Sequence, residues 1–495
     1  MGDQLQFIQL EVMVVALGLL VLLADLFLSE SARRSLGWVA AGALGLVFLL
    51  SFRGSYVALA EIKAAVSVTD QPFGGIYRLD GLALFFKRFF LLTAILVLFF
   101  AMDFASRLKG GVSEYLAFIL FALSGMMFAS SANDFSLLFV AIELITVTFY
   151  ILVSFQWHRM HSLEAGVKYL ILGAVSSAFL VYGIALVFGE AGSLKFDVIR
   201  AAHVGLLGSN VFLFGMLFVF AGLAFKISAF PFQVWAPDVY QGAPTPTTTF
   251  LAVGSKAAGF VLLIRLFGSV VPVLTAQWTG MLMVVAALTI LYGNLCALPQ
   301  RNLKRLLAYS GIANAGYLLM GIVAQSGEGT AAILYYLAGY LFTLVAAFMI
   351  INLLTRDGEG EDISCLAGLG KRSPFLALTL TLAVVSLAGI PPLAGFFGKF
   401  LLLKSVTAKA FGDAGYFALL AVAVFGVVVS IYYYFGIIRT IYWSKDTSDD
   451  SPVAIVWPTR VALGLCVAAI VYLGLLPDKP INWVNAAAKI ETVAK

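Results

Sequence analysis

Apolar runs near twenty residues long recur from one end of this 495-residue chain to the other, and each is as long as a helix must be to cross the hydrocarbon core of a bilayer. The sequence is 62% hydrophobic and 12% charged, with a mean hydropathy of +1.00, whereas a soluble domain is nearer half apolar and a quarter charged. The runs are continuously apolar, which excludes a transmembrane β-barrel with its alternating strands. The expectation is an all-α polytopic membrane protein.

Read as spans, the runs number about fourteen: 5–28, 36–53, 80–101, 112–131, 134–155, 164–189, 207–235, 245–270, 275–298, 302–325, 328–354, 374–405, 416–442 and 453–476. They fall into an N-terminal three-helix segment (1–105), a five-helix block (112–270), a second five-helix block (275–442) and a C-terminal helix and tail (453–495). The fourth span of the first block contains Pro231, and the fourth of the second contains Pro391 and Pro392. Blocks of five spans in series have opposite orientations, because five is odd. The pattern therefore predicts two inverted repeats, each with a discontinuous helix, the arrangement that marks transport sites.

Loops after odd-numbered spans hold Arg33, Arg34, Arg107, Lys109, Arg159, Arg301, Lys304, Arg305, Arg356, Lys371, Arg372, Arg439 and Lys445. Loops after even-numbered spans hold fewer basic residues: Arg53, Lys63, Lys195, Arg200, Lys404 and Lys409. The positive-inside rule makes the odd loops cytoplasmic and accounts for the net charge of +5 without a nucleic-acid partner. Both termini are then expected in the periplasm, with the chain multi-pass in a bacterial inner membrane. The N-terminus lacks a basic leader and reads as a retained first helix. Cys296, Cys365 and Cys466 are far apart and form no CxxC, which argues against a zinc or iron–sulfur site. His158, His161 and His203 fall in or near loops and read as solvated.

Charges buried inside the apolar runs carry the functional signal. Glu143 lies in LLFVAIELITVTFYILV, Lys226 in LFVFAGLAFKISAFPF, Lys256 in FLAVGSKAAGFVLLI and Lys399 in GIPPLAGFFGKFLLL. A charge at the bilayer centre costs roughly 2.5–3.5 kcal/mol even on the mildest scale, so four of them point to movement of charge, most simply protons. A lysine in a low-dielectric site loses its charge readily. Pro231, five residues after Lys226, frees backbone carbonyls that recruit water, and water lets protons reach the lysine. Glu143 is the natural counter-charge, and a movable Glu–Lys pair loads and unloads a proton; a static pair that fixes packing is the alternative. Lys256 sits among small residues suited to close helix packing. Glu164 and Lys168, an i, i+4 pair, and Lys304, at a cytoplasmic edge, are secondary candidates, with local pairing and anchoring as the plainer readings. Asp238 reads as loop, and Glu11 and Asp25 as near span ends. There is no Walker A motif and no GxGxxG after a strand, so no nucleotide or flavin site is expected on this chain.

These residues resemble a known family. FKISAFPFQVWAPDVYQGAPTPTTTFLAVGSKAAGF is similar to the seventh and eighth helices of the antiporter-like subunits of respiratory complex I. QRNLKRLLAYSGIANAGYLL resembles the segment opening their tenth helix, and SLAGIPPLAGFFGKF their broken twelfth. The resemblance covers roughly residues 80–475. Lys399 contrasts with the glutamate of the M type, and the end at Lys495 with the long lateral helix of the L type. The resemblance implies that Glu143 is the fifth-helix glutamate, Lys226 the seventh-helix lysine, Lys256 the eighth-helix connecting lysine and Lys399 the twelfth-helix lysine on the exit side. The family often has a histidine where this chain has Asn314, which cannot titrate.

By that resemblance the chain is a membrane-arm subunit of a proton-translocating NADH:quinone reductase, carrying protons from cytoplasm to periplasm while quinone is reduced elsewhere. FMN, iron–sulfur clusters and quinone would sit on partner subunits, with no cofactor or metal here. The partners implied are the neighbouring antiporter-like subunit M and the small subunits K, J and A. The alternatives are a subunit of a multi-subunit cation/proton antiporter or membrane-bound hydrogenase, a structural membrane scaffold, and a solitary secondary transporter.

Overall fold

The computed structural model describes residues 2–29, 33, 35–54, 56, 72–105, 107–108, 110–206, 208–270, 275–355, 361–444 and 452–488. Arg34, Lys63, Lys109, Arg356 and Lys445 of the charge pattern, and the tail 489–495, lie outside the described residues.

The described chain is helical, with isolated bridges only. Three helices open it: α1 (Gln9–Asp25), α2 (Leu36–Leu50) and α3 (Gly81–Ala105). Next come α4 (Val112–Ser130), α5 (Phe135–Val153), α6 (Met160–Ala191), α7 (Asn210–Ile227), the short α8 (Trp235–Gly242), α9 (Thr245–Phe250) and α10 (Lys256–Ser269). After them run α11 (Thr275–Ala297), α12 (Leu303–Val323), α13 (Gly327–Leu354), α14 (Pro374–Ala388), α15 (Ala394–Ala410), α16 (Ala414–Trp443), α17 (Trp457–Leu475) and α18 (Asp478–Ala487). Among the described residues eleven helices are long and apolar enough to cross a membrane, with α9 and α10 counted as one. Leu36–Leu50 and Pro374–Ala388 are apolar but shorter.

Side-chain caps start several helices by satisfying backbone donors that a helix start leaves open. Asp134 Oδ1 accepts from Ser136 N at 2.6 Å at the head of α5, and Asn302 Oδ1 from Arg305 N at 3.0 Å at the head of α12. The bundle is graded from inside to outside. Helix α12 is buried along nearly its whole length, whereas α6 and α16 present valine, leucine, tyrosine and phenylalanine side chains outward. A helix that is apolar on every face belongs inside a bundle or against lipid.

Three irregularities position the interior charges. The seventh span stops at Ile227, with Ser228 left-handed at the cap, and resumes at Trp235 after the cis Phe230–Pro231 bond. The run 374–405 divides into α14 and α15 across the cis Pro391–Pro392 bond. Between α9 and α10 the chain makes one π turn, Leu251–Ser255, directly before Lys256. Each side of that turn is anchored separately. Upstream, the Thr247 hydroxyl bonds the Tyr115 hydroxyl at 2.8 Å. Downstream, Arg265 grips Asp80 through two bonds of 2.5 and 2.6 Å and also donates to Ser130 O. Single π turns inside α-helices are frequent at functional sites.

Candidate functional site

The four charges singled out in the sequence lie in one series through the bundle. Glu143, on α5, is half-buried and accepts from Ser177 Oγ of α6 at 2.5 Å. One turn along α5, Thr146 Oγ1 accepts from the ammonium of Lys226. Lys226 and Glu143 thus approach the same helix one turn apart, and Glu143 is close enough to act on the Lys226 charge. They do not form an ion pair in this state. Lys226 also lies over the Phe225 ring, 5.5 Å from its centre.

The next step is from α7 to α10. Gly259, one turn after Lys256, packs on the end of α7: a Cβ there would stand 2.6 Å from Ile227 Cγ2 and 3.4 Å from Lys226 Cβ. The missing side chain lets the two lysine-bearing helices touch. Lys256 Nζ donates to Gly311 O of α12 at 2.6 Å. A Cβ on Gly311 would meet that ammonium at 3.1 Å and the Tyr340 hydroxyl at 3.2 Å. Six residues further along α12, about 9 Å at 1.5 Å per residue, the Tyr317 ring lies 5.1 Å from Lys399 Nζ. Lys256 and Lys399 therefore flank one helix.

Lys399 closes the second break. An α-helical carbonyl accepts from the N–H four residues on, so Leu387 O and Ala388 O would need the nitrogens of Pro391 and Pro392, which carry no hydrogen. Lys399 Nζ bonds both carbonyls instead, at 2.8 and 3.3 Å. The negative end of the α14 dipole adds to the attraction.

A polar band on α12 joins the two lysines. Ser310, Asn314 and Tyr317 recur at i, i+4 and i+7, so they share a face. The Asn314 amide reaches Ser310 Oγ at 3.5 Å, and Ser310 bonds the Tyr434 hydroxyl. Tyr317 donates to Ala423 O at 3.0 Å, and Tyr433 to Asn294 Oδ1 at 3.1 Å. Sequence reasoning missed this band, although a polar stripe at helical spacing in an apolar helix is a legible signal.

The secondary candidates lie apart from this series. Lys168 bridges Glu164 at 2.8 Å and Asp238 at 2.7 Å, and Arg305 bonds Asp238 at 2.6 Å. Asp238, expected in a loop, stands in α8 and ties that segment to α6 and α12. Burial pushes its carboxyl up, but the hydrogen bonds from Lys168 and Arg305 outweigh that and hold it below the usual carboxylate range. Lys304 is not an exposed anchor. It is buried against Glu361 at 2.8 Å and donates to Ala243 O. The N-terminal helices contain a further ion pair, Glu11–Lys87, at 2.6 Å with both side chains fully buried.

The buried lysines are thus of two kinds. Lys87 and Lys304 have carboxylate partners. Lys226, Lys256 and Lys399 are 5%, 2% and 4% exposed, yet among the described residues only neutral oxygens hold their ammonium groups. No group of His, Cys, Asp and Glu among the described residues is arranged to hold a metal.

The chain is a membrane-type helical bundle with two discontinuous helices and a row of interior lysines, and the comparisons give its family. The family described as "NADH:quinone oxidoreductase/Mrp antiporter, TM" matches residues 132–430. The NADH-quinone oxidoreductase subunit N of Rhodospirillum rubrum is 38% identical over 491 residues, covering 98% of this chain and 97% of that protein. The subunit N of Moorella thermoacetica is 37% identical over 484 residues, covering 98% of each. A chain of respiratory complex I from Thermus thermophilus superposes with a TM-score of 0.78 at 29% identity, covering 96% of this chain and 99% of that one. A chain of the Mrp complex from Dietzia has the same fold at 18% identity, with a TM-score of 0.81 over 99% of this chain and 97% of that one. The chain belongs to the NADH:quinone oxidoreductase/Mrp antiporter transmembrane family, and its relatives matched along almost the whole length include these subunit N proteins.

Proposed function

We propose that this chain is the proton-translocating subunit N of a bacterial complex I, moving protons from cytoplasm to periplasm through Glu143, Lys226, Lys256 and Lys399. One observation carries the reading: among the described residues, three buried lysines have only neutral hydrogen-bond partners. A static structural lysine at that depth would be paired with a carboxylate, as Lys304 is, because an unpaired buried charge is costly. A lysine that must both hold and release a proton needs a partner that lets go. Thr146 offers Lys226 such a place, one turn from Glu143. Movement of the ammonium toward Glu143 favours the charged form; its return to Thr146 favours release. The proton then passes to Lys256 across the α7–α10 contact and to Lys399 along the Ser310, Asn314 and Tyr317 face of α12. A hydroxyl and amide chain with water suffices there, so Asn314 in place of histidine does not interrupt it.

Quinone reduction on partner subunits supplies the energy, and FMN and iron–sulfur clusters reside there. The neighbours are the antiporter-like subunit M and the small subunits K, J and A, in the bacterial inner membrane, with both termini periplasmic. The test is Lys226→Met and Glu143→Gln in the assembled complex, followed by quinone reductase activity and proton uptake in membrane vesicles. Both variants are expected to lose coupled activity and pumping. Normal pumping by both, with normal assembly, would defeat the reading and favour a scaffold whose charges only specify packing.

A further inference from the structure

The N-terminal helices hold a second group of buried ionisable residues that the lysine series does not use. Glu11 on α1 and Lys87 on α3 pair at 2.6 Å, both fully buried. Between α2 and α3, the single hydroxyl hydrogen of Tyr77 has two acceptors within reach, Glu11 Oε1 at 3.0 Å and Phe7 O at 2.9 Å, and the Tyr77 oxygen accepts from Lys87. The charged and titratable groups that face Glu11 are Lys87, Tyr77 and Tyr56, and Asp80 and Arg265 act on the Lys87 side of the pair. Tyr56 reaches Glu11 only electrostatically; its hydroxyl donates to Gln9 Oε1 at 2.6 Å. Burial and the Glu11 carboxylate hold the Tyr77 phenol well above its ordinary range, so it stays a neutral hydroxyl.

Two features go beyond a packing pair. Glu11 Oε2 is buried and has no hydrogen-bond partner among the described residues, and neither has Asn133 Oδ1. A buried acceptor left open costs about 1–3 kcal/mol, so each marks a place for a water, and Glu11 Oε2 also a place for a proton. The group also has two connections. Asn133 N donates to Ile76 O beside Tyr77, and the Asn133 amide reaches Gly75 O at 2.9 Å and the half-buried Asp197 at 3.1 Å. That leads outward at the face where α4 ends and α5 begins. On the other side, Asp80, seven residues before Lys87 and on the same face of the chain entering α3, holds Arg265. Arg265 lies nine residues, about 14 Å, along α10 from Lys256.

We propose that Glu11, Tyr77 and Lys87 form a second proton-holding site, open through Asn133 and Asp197 to the membrane face where α10 ends and linked to Lys256 through Arg265 and Asp80. The proposal rests on the proton-translocating reading above. The transfer is balanced within the triad. An N–H bond of the Lys87 ammonium breaks toward the Tyr77 oxygen as the Tyr77 O–H proton passes to Glu11, leaving a neutral amine and a neutral carboxyl. A proton taken up at Lys87 and one released from Glu11 restore the pair, with no change of electrons. A loaded triad alters the field at Arg265 and hence along α10, so occupancy here and at Lys256 are coupled.

The experiment compares Glu11→Gln, Tyr77→Phe and Lys226→Met in the whole complex in native membranes. The readouts are protons moved per quinone reduced and the infrared band of a protonated buried carboxyl. Glu11→Gln and Tyr77→Phe are expected to lower the proton ratio by roughly half or more, and Glu11→Gln to remove a carboxyl band that Lys226→Met retains. A wild-type ratio and an unchanged band in both N-terminal variants, with Lys226→Met impaired, overturns this proposal alone. Normal pumping by Lys226→Met overturns the wider reading. Tyr77→Phe leaves the ion pair intact and decides the matter if Glu11→Gln does not assemble.

Discussion

The two proline-broken helices look alike in sequence and are closed in different ways. At the first break residues other than the lysine bond the loosened backbone. Trp235 Nε1 donates to Phe225 O at 2.9 Å, Ala229 N to Ala224 O at 2.9 Å, and Phe230 N finds Thr289 Oγ1 at 3.0 Å. Lys226 is not needed there and points across to Thr146. At the second break two carbonyls have lost their donors to Pro391 and Pro392, and Lys399 supplies both bonds. One lysine is therefore free to change partner without disturbing its helix, while the other is part of the helix end. Proline plus lysine is not a single device: what matters is whether another residue has already capped the break.

The sharpest test of that difference is Lys399→Met. Each orphaned carbonyl costs about 1–3 kcal/mol, so the complex should melt several degrees lower as well as lose pumping; an unchanged Tm would erase the distinction. Lys226→Met comes next. Only Thr146 loses a partner, so Tm should hold while coupled proton transfer slows about tenfold or more, equivalent to about 1.4 kcal/mol on the barrier. A Tm loss as large as that of Lys399→Met would show that the first break also leans on its lysine. Trp235→Phe removes one backbone cap and should cost about 1 kcal/mol in urea unfolding, with pumping largely kept.

The smallest effect concerns Asp238, which anchors the segment after the first break. Its folded carboxyl titrates below its unfolded value, so its contribution is present above the ordinary carboxylate pKa and fades as pH falls through the lower folded value. The ion pairs are partly exposed and worth roughly 1 kcal/mol or less. Asp238→Asn should therefore flatten the acid limb of a stability–pH profile slightly; a profile steeper than that of the native chain would contradict it.

Glu143, Lys226, Lys256 and Lys399 were legible because each interrupts an apolar run, and the breaks because proline cannot continue a hydrogen-bond ladder. Lys87 and Arg265 were equally visible as letters, but each lies near an end of its span, where anchoring explains a basic residue just as well. Their burial depends on Glu11 and Asp80, which are distant in sequence. Lys304 was read as an edge anchor for the same reason, since its partner Glu361 comes from another loop. Asp238 looked like loop because it follows the first broken helix, yet it stands in the short helix Trp235–Gly242 between two cations. The π turn had no signature at all. The residues that hold the chain on either side of it, Tyr115 and Asp80, are distant in sequence.

That turn behaves like a phase shifter in a gear train. Thr247 meshes with Tyr115 on one side and Arg265 with Asp80 on the other, and the wider turn lies between the two contacts. Each residue adds about 100° of rotation, so the extra residue in Leu251–Ser255 sets the angle at which Lys256 faces Gly311. Removing one residue there would not shorten a loop. It would turn the teeth on one side by more than a quarter of a revolution, and either the Thr247 end or the lysine end would come out of mesh.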